Sequence, residues 1–494
     1  MGKLATCVVV LAVSACGGGG GSKPDAPPID SPPADAPVET LGPPPALAIA
    51  CSDALADVYT VPSGLPAMDD THRGDVFHCA TTESLSAYKV NAQIAAYNVN
   101  YPLAEAGNAT SGFWTFRVAY RSERNTVGSA PRAEGDMAAD LLIPEHPLSG
   151  APLIVFGHGS VGVASKCAPS HLDLSAPPID EDYPPALLRL ASAGYTVIAP
   201  DYSGYLADQA PGYFNAEDEA HAILDATRAA THLLPSPPAK VAFVGHSQGG
   251  HAVVAAQSYA ASYGHDGTLV GVAALAPFWA SLDAFAAATT STAGFMTATD
   301  VNTILYAMEY AYSAGELRVG AGHGVDVFMT AKQAAAKDTI LGGECYDAAK
   351  LQALGATPQD FFDQAYVDGV GTGCSLGGNC TDTLSLMWKP FWVDDRPPLD
   401  PDGAPMLVIT GGQDTFVTPG RAQCGRNHFT ADIAGGSTTI QYCQNADAGH
   451  RDLVRTNDVD YAIAWIAARA GIASDPPACT PTPSATCGLL PKDY

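Results

Sequence analysis

The sequence predicts an α/β protein, with a mostly parallel sheet, helices on both of its faces and an inserted helical cap. Three observations carry this expectation. First, short and nearly continuous apolar runs recur along the chain, each ending in a turn signal: PLIVFGHG (152–159), TVIAPDYSG (196–204), VAFVGHS (241–247), LVGVAALAP (269–277) and PMLVITGGQD (405–414). Strands covered on both faces read this way, because parallel crossovers lay helices over each side of the sheet. Second, helical patterns lie between the runs. Residues 215–234 carry acids in the first turn and no Gly or Pro before Pro235, and Val459, Ile463, Ile466 and Ala470 recur at helical spacing until Gly471 stops them. Third, 279–400 holds no comparable strand run. There Ile304, Leu305, Met308 and Tyr312 share a helical face, and TPQDFF (357–362) offers a capping box with Pro358 at the first helical position.

The chain has 494 residues and is 47% hydrophobic, enough for one large domain with an insertion. With 24 basic against 51 acidic residues its net charge is -27, which repels phosphate backbones and excludes nucleic acid as a partner. The start, MGKLATCVVVLAVSAC, reads as an export signal over residues 1–15, too short to span a bilayer. VSAC resembles a bacterial lipobox, which implies lipidation of Cys16, a membrane anchor and a place at the outer membrane or cell surface. Residues 16–50, rich in Gly, Pro, Ala and Asp, read as a disordered tether. The sheet core is expected over 51–278 and 401–472, the cap over 279–400, and a cysteine-bearing tail over 473–494.

Beyond Cys7 and Cys16, ten cysteines remain in what reads as an exported chain, which favours disulfides. Short loops make Cys374 with Cys380, Cys424 with Cys443, and Cys479 with Cys487 the economical pairs, leaving Cys51 with Cys79 and Cys167 with Cys345. Their spacing matches no zinc pattern, and neither metal nor cofactor is expected.

GxSxG occurs twice, around Ser247 in GHSQG and around Ser375 in GCSLG. A nucleophile elbow needs a buried strand before the serine and a helix immediately after it. Ser247 has both, VAFVG and QGGHAVVAAQSYAASYG, whereas Ser375 sits in a glycine-rich loop between cysteines. A serine hydroxyl needs a base, and the base a carboxylate to orient it. Asp414 follows the strand PMLVITGG, and His450 follows the next strand and precedes the last helix. All three thus fall at carboxyl ends of strands, in the order Ser, acid, His. His428 precedes that strand, and Asp447 shares the histidine's own loop, so both are weaker candidates. Two backbone N–H groups should hold the developing oxyanion: that of Gln248, and that of Ser160 or Gly159 in VFGHGSVG. His158 alone has no cluster to make it a metal ligand.

These motifs resemble the α/β-hydrolases. More narrowly, DVYTVPSGLP with RGDV (57–76), YRSERNTVGSAPRAEGDMAADLLIP (120–144) and HGSVGVASKCAPS (158–170) resemble the secretory lipases of fungi and bacteria over about residues 53–472. The resemblance implies a helical cap above the site and hydrolysis of carboxylic esters, often lipids. It also supports a Cys167–Cys345 link between oxyanion loop and cap. The anchor, the tether and the tail depart from that family's pattern. Tyr306, Tyr310, Phe361, Phe362, Trp388, Phe391 and Trp392 are candidates for an apolar acyl pocket or for the cap's own core. A serine aminopeptidase of the same fold would need an acid such as Glu309 or Glu316 at the site, and a silent hydrolase fold used for surface binding would have lost a triad member.

Overall fold

The computed structural model describes residues 41–487 apart from 125–132, 177–181, 207–209, 280–282, 295–296, 343 and 372–390. Nine strands form one sheet: β1 (Val76–Leu85), β2 (Phe113–Tyr120), β3 (Met137–Pro144), β4 (Leu153–Gly157), β5 (Val197–Pro200), β6 (Lys240–His246), β7 (Thr268–Leu275), β8 (Met406–Gly411) and β9 (Ile440–Asn445). Their order is β1-β2-β3-β5-β4-β6-β7-β8-β9. The first three strands join antiparallel, to each other and to β5, and all later pairings are parallel.

The principal helices are α1 (Ala87–Asn98), α2 (Tyr183–Ser192), α3 (Ala216–Leu233), α4 (Gln248–Tyr263), α5 (Ala298–Ala314), α6 (Pro419–Asp432) and α7 (Asn457–Arg469). The apolar runs are explained by two cores, one on each face. Ile154 and Phe156 of β4, with Ala242 and Val244 of β6, join the core that includes Leu187 of α2 and Trp465 of α7. Their alternate neighbours Leu153, Val155, Val241 and Phe243 join the core that includes Ile223 of α3 and Val253 of α4. With side chains alternating at period two, a doubly covered strand must be apolar at every position. α3 begins one residue inside the expected span because Asn215 caps it, its side chain accepting the Asp218 N–H at 3.2 Å.

Between β7 and β8 the described residues form only helices and irregular chain, apart from an isolated bridge between Phe328 and Phe362. Ile304, Leu305, Met308 and Tyr312 of α5 are buried as one stripe. At TPQDFF the capping box of Thr357 and Asp360 is formed, but it opens a single 3-10 turn, Pro358–Asp360, rather than an α-helix. Phe361 and Phe362 end that turn and are fully buried. No described helix is long and apolar enough to cross a membrane. The export signal and Cys16 lie outside the described residues. Residues 41–50, expected in the tether, already meet the folded body: the Ala48 N–H donates to the Leu233 carbonyl at 2.8 Å.

Cys51–Cys79 and Cys167–Cys345 are bonded as read from the sequence, the latter joining the loop after β4 to the inserted segment. The other described pairs correct the expectation of local bridges. Cys443 bonds Cys479, and Cys424 bonds Cys487, instead of Cys424–Cys443 and Cys479–Cys487. The reason is the tail, which runs back along β9: the Gln444 N–H donates to the Thr480 carbonyl at 2.9 Å, and Cys443 faces Pro481. That pairing covers the edge strand and brings each tail cysteine beside a residue distant in sequence. Cys374 and Cys380 lie outside the described residues.

Candidate active site

β6 delivers Ser247 into a turn with φ 57° and ψ -115°, a left-handed position that a non-glycine residue adopts only under constraint. α4 starts at the next residue. The glycines around it are required by contact. A Cβ on Gly245 would meet the Gly249 carbonyl oxygen at 2.0 Å, and one on Gly249 would meet the Gly157 oxygen of β4 at 1.9 Å. Gly249→Ala should therefore force β4 and α4 apart, at a cost of about 3 kcal/mol, read as a lowered urea midpoint together with lost activity.

The chain brings His450 and Asp414 to this serine from the ends of β9 and β8. His450 Nε2 lies 2.8 Å from Ser247 Oγ, and His450 Nδ1 lies 2.7 Å from Asp414 Oδ2. The other carboxylate oxygen of Asp414 accepts the N–H groups of Phe416 and Val417, both at 2.8 Å. Burial pushes the Asp414 carboxyl up, but His450 and these amides outweigh burial and hold it below the usual carboxylate range. Burial likewise opposes a charged His450, and the facing Asp414 outweighs it, lifting the imidazole above its ordinary value. The elements suit proton transfer from a serine hydroxyl to an imidazole steered by a carboxylate.

Histidines around the elbow have other work. His246 donates from Nε2 to the His450 carbonyl at 2.9 Å, fixing the catalytic candidate's loop, and burial drives its pKa down to about 3. His251 faces the buried Glu219 at 2.6 Å, and Glu219 also accepts from the Gln248 side chain at 2.8 Å. This buried pair beneath the first turn of α4 gave no sequence signal, since Glu219 belongs to a helix that reads only as amphipathic. His158 lies between the Gly159 and Asp201 carbonyls, and burial lowers its pKa to about 4. Among the described residues no group of three or more His, Cys, Asp or Glu is arranged to hold a metal.

Of the oxyanion candidates, Gln248 opens α4, and a Cβ on Gly159 would stand 3.6 Å from the Ser247 Cβ. Ser160 lines the same cavity as Ser247, its hydroxyl 2.6 Å from that of Tyr213. Of the rivals, His428 lies on α6, Asp447 is exposed in the histidine loop, and Ser375 is outside the described residues. The cavity over Ser247 is small, about 70 Å³, with apolar walls from Phe214, Phe278, Tyr306 and Phe416. Among the aromatics considered for an acyl pocket, Tyr306 lines it. Tyr310, Phe361, Phe362, Phe391 and Trp392 are buried in the inserted segment's core, and Trp388 is outside the described residues.

Residues 184–313 match the secretory lipase family. Lipase A of Moesziomyces aphidis is 30% identical over 201 residues, which is 39% of this chain and 40% of that protein, so the match spans two fifths of the relative. Among solved structures, Candida antarctica lipase A superposes with a TM-score of 0.61 at 19% identity, covering 88% of this chain and 90% of the other. The rice cell wall degrading esterase LipA of Xanthomonas oryzae gives 0.53 at 19% identity, covering 81% and 97%. A putative hydrolase of Legionella pneumophila gives 0.57 at 17%, covering 78% and 96%. The four described disulfides are of a kind that persists in an oxidising compartment. Residues 184–313 thus resemble the secretory lipases, and the chain shares its fold with a solved lipase and a solved esterase along most of its length.

Proposed function

We propose that this protein is a serine carboxylic-ester hydrolase of the lipase or esterase type. The observation that carries the reading is the continuous path Ser247 Oγ, His450, Asp414, with hydrogen-bond distances of 2.8 and 2.7 Å at a strained elbow. In this reading His450 takes the serine proton as Oγ attacks the acyl carbon, and the N–H groups of Gln248 and of Ser160 or Gly159 hold the oxyanion. The imidazolium then protonates the departing alcohol, leaving an acyl-enzyme. Water, activated by the same histidine, releases the acid. The segment between β7 and β8 acts as a cap. The cavity over Ser247, beneath this cap, is where the reacting acyl carbon sits. Lipidation at Cys16 would keep this domain at a membrane surface.

The peptidase reading loses its support at the acids. The Glu316 carboxylate accepts the Gly322 and Gly324 N–H groups, at 2.8 and 3.1 Å, and shapes a turn. Glu309 is buried, and that burial holds its carboxyl well above the usual range, as a neutral group. Neither presents a free carboxylate for a substrate ammonium. Labelling the purified protein with a fluorophosphonate and mapping the adduct should find Ser247 modified. An adduct at Ser375, or none, would refute the assignment.

A further inference from the structure

The cavity wall is not wholly apolar. Asn302 of α5 lines it one turn before Tyr306, half-buried, and its carboxamide has no hydrogen-bond partner among the described residues. Asp182 and Arg451 line it too, held together by an ion pair from Arg451 Nε to Asp182 Oδ1. Both keep part of the side chain accessible, 24% for Asp182 and 33% for Arg451. From behind, Arg455 reaches Asp182 Oδ1 at 3.4 Å, its own guanidinium stacked 3.9 Å over Tyr101. Paired charges fixed in place on an otherwise aromatic cavity wall cost desolvation that a wholly apolar substrate would not repay.

Their position says which half of a substrate they meet. Arg451 follows His450 in the chain, and the charges of Asp182 and Arg451 both act on the His450 ring, with opposite signs. In the proposed reaction that ring faces the leaving oxygen, so the polar wall lies on the alcohol side. Asp182 and Arg451 expose opposite charges to the cavity, so an ion of either sign meets one charge that repels it, and neutral hydrogen-bonding groups are favoured. A carboxylate acceptor, a guanidinium donor and a carboxamide that does both match neighbouring hydroxyls on one framework.

We propose that the leaving-group side of this site recognises a polyhydroxylated alcohol, so that the preferred substrates are acyl esters of a sugar or similar polyol, bound through Asn302 and the Asp182–Arg451 pair. This inference rests on the ester-hydrolase reading. Its test compares kcat/KM for 6-O-octanoyl glucose and methyl octanoate, which share an acyl chain. The wild type should favour the glucose ester. Asn302→Leu and Asn302→Ala should each lower the ratio of the two by roughly three- to tenfold, the worth of one or two neutral hydrogen bonds. Asp182→Asn should lower it again, chiefly through KM for the glucose ester. Melting curves of each variant show that the fold is kept. Cleavage of both esters with a ratio that none of the variants changes overturns the inference alone. Failure to cleave either ester, with Ser247 unlabelled by fluorophosphonate, overturns the ester-hydrolase reading and the inference with it.

Discussion

Ser247→Ala is expected to lower kcat for p-nitrophenyl esters by about a millionfold while leaving the melting temperature at least as high as that of the wild type. The two halves of this result have separate causes. Only the hydroxyl is removed. Alanine keeps the Cβ, so the φ of 57° is no more strained than with serine, and the contacts of Gly245 and Gly249 are unchanged. His450 Nε2 loses its partner at a cavity wall, where water can replace it. Activity is another matter, because in the proposed mechanism there is no acyl-enzyme without Oγ, and the reaction must proceed by direct attack of water. A serine and its histidine act as one unit, so losing either removes nearly all of the rate they give together; what survives comes from the oxyanion hole and from binding. A variant retaining more than about one thousandth of wild-type turnover would mean that another nucleophile works in this chain.

The parts of the fold and site that were legible share a physical origin. β4 to β8 announce themselves because burial on both faces leaves no room for a polar residue, and Ser247, Asp414 and His450 could be picked out because each follows a strand of that kind or its neighbour. β1 and β2 gave no such signal. They lie in the antiparallel part of the sheet, where buried Arg117 of β2 pairs with Glu83 of β1 at 2.8 Å and with Asp140 of β3 at 2.9 Å. A charge cluster of that kind satisfies itself only once three strands are assembled, so a single strand shows merely a broken apolar run. The tail disulfides were misjudged for a related reason. Loop length ranks the cysteine pairs by closure entropy alone, whereas the pairing of 480–482 with β9 sets which sulfurs meet. The polar wall of the cavity was beyond reach in sequence, since Asp182, Asn302 and Arg451 come from three distant segments and none belongs to a motif.

Asp414→Asn should cut kcat by about ten thousandfold and move the acid limb of the pH profile downward. In the wild type one carboxylate oxygen accepts the Phe416 and Val417 N–H groups, and the other faces His450 Nδ1. An asparagine has one acceptor oxygen. If that oxygen keeps the two backbone N–H groups, the NH₂ turns to His450, whose Nδ1 must then accept. The ring proton moves to Nε2, where it faces Ser247 Oγ and cannot receive the serine proton. The pH dependence follows from the same contact. The proposed mechanism needs His450 neutral, so on that reading activity is lost as pH falls through the histidine's folded-state pKa, and Asp414 holds that pKa above about 6.5, the usual value. Removing the carboxylate leaves burial, which favours the neutral ring, as the larger influence. Asp182 still raises the pKa, but Arg451 opposes it. The remaining activity should therefore persist to lower pH than in the wild type. A profile of kcat/KM between pH 4 and 9 for both proteins checks the direction, and an unshifted acid limb, or a loss of less than tenfold, would show that Asp414 does not orient this histidine.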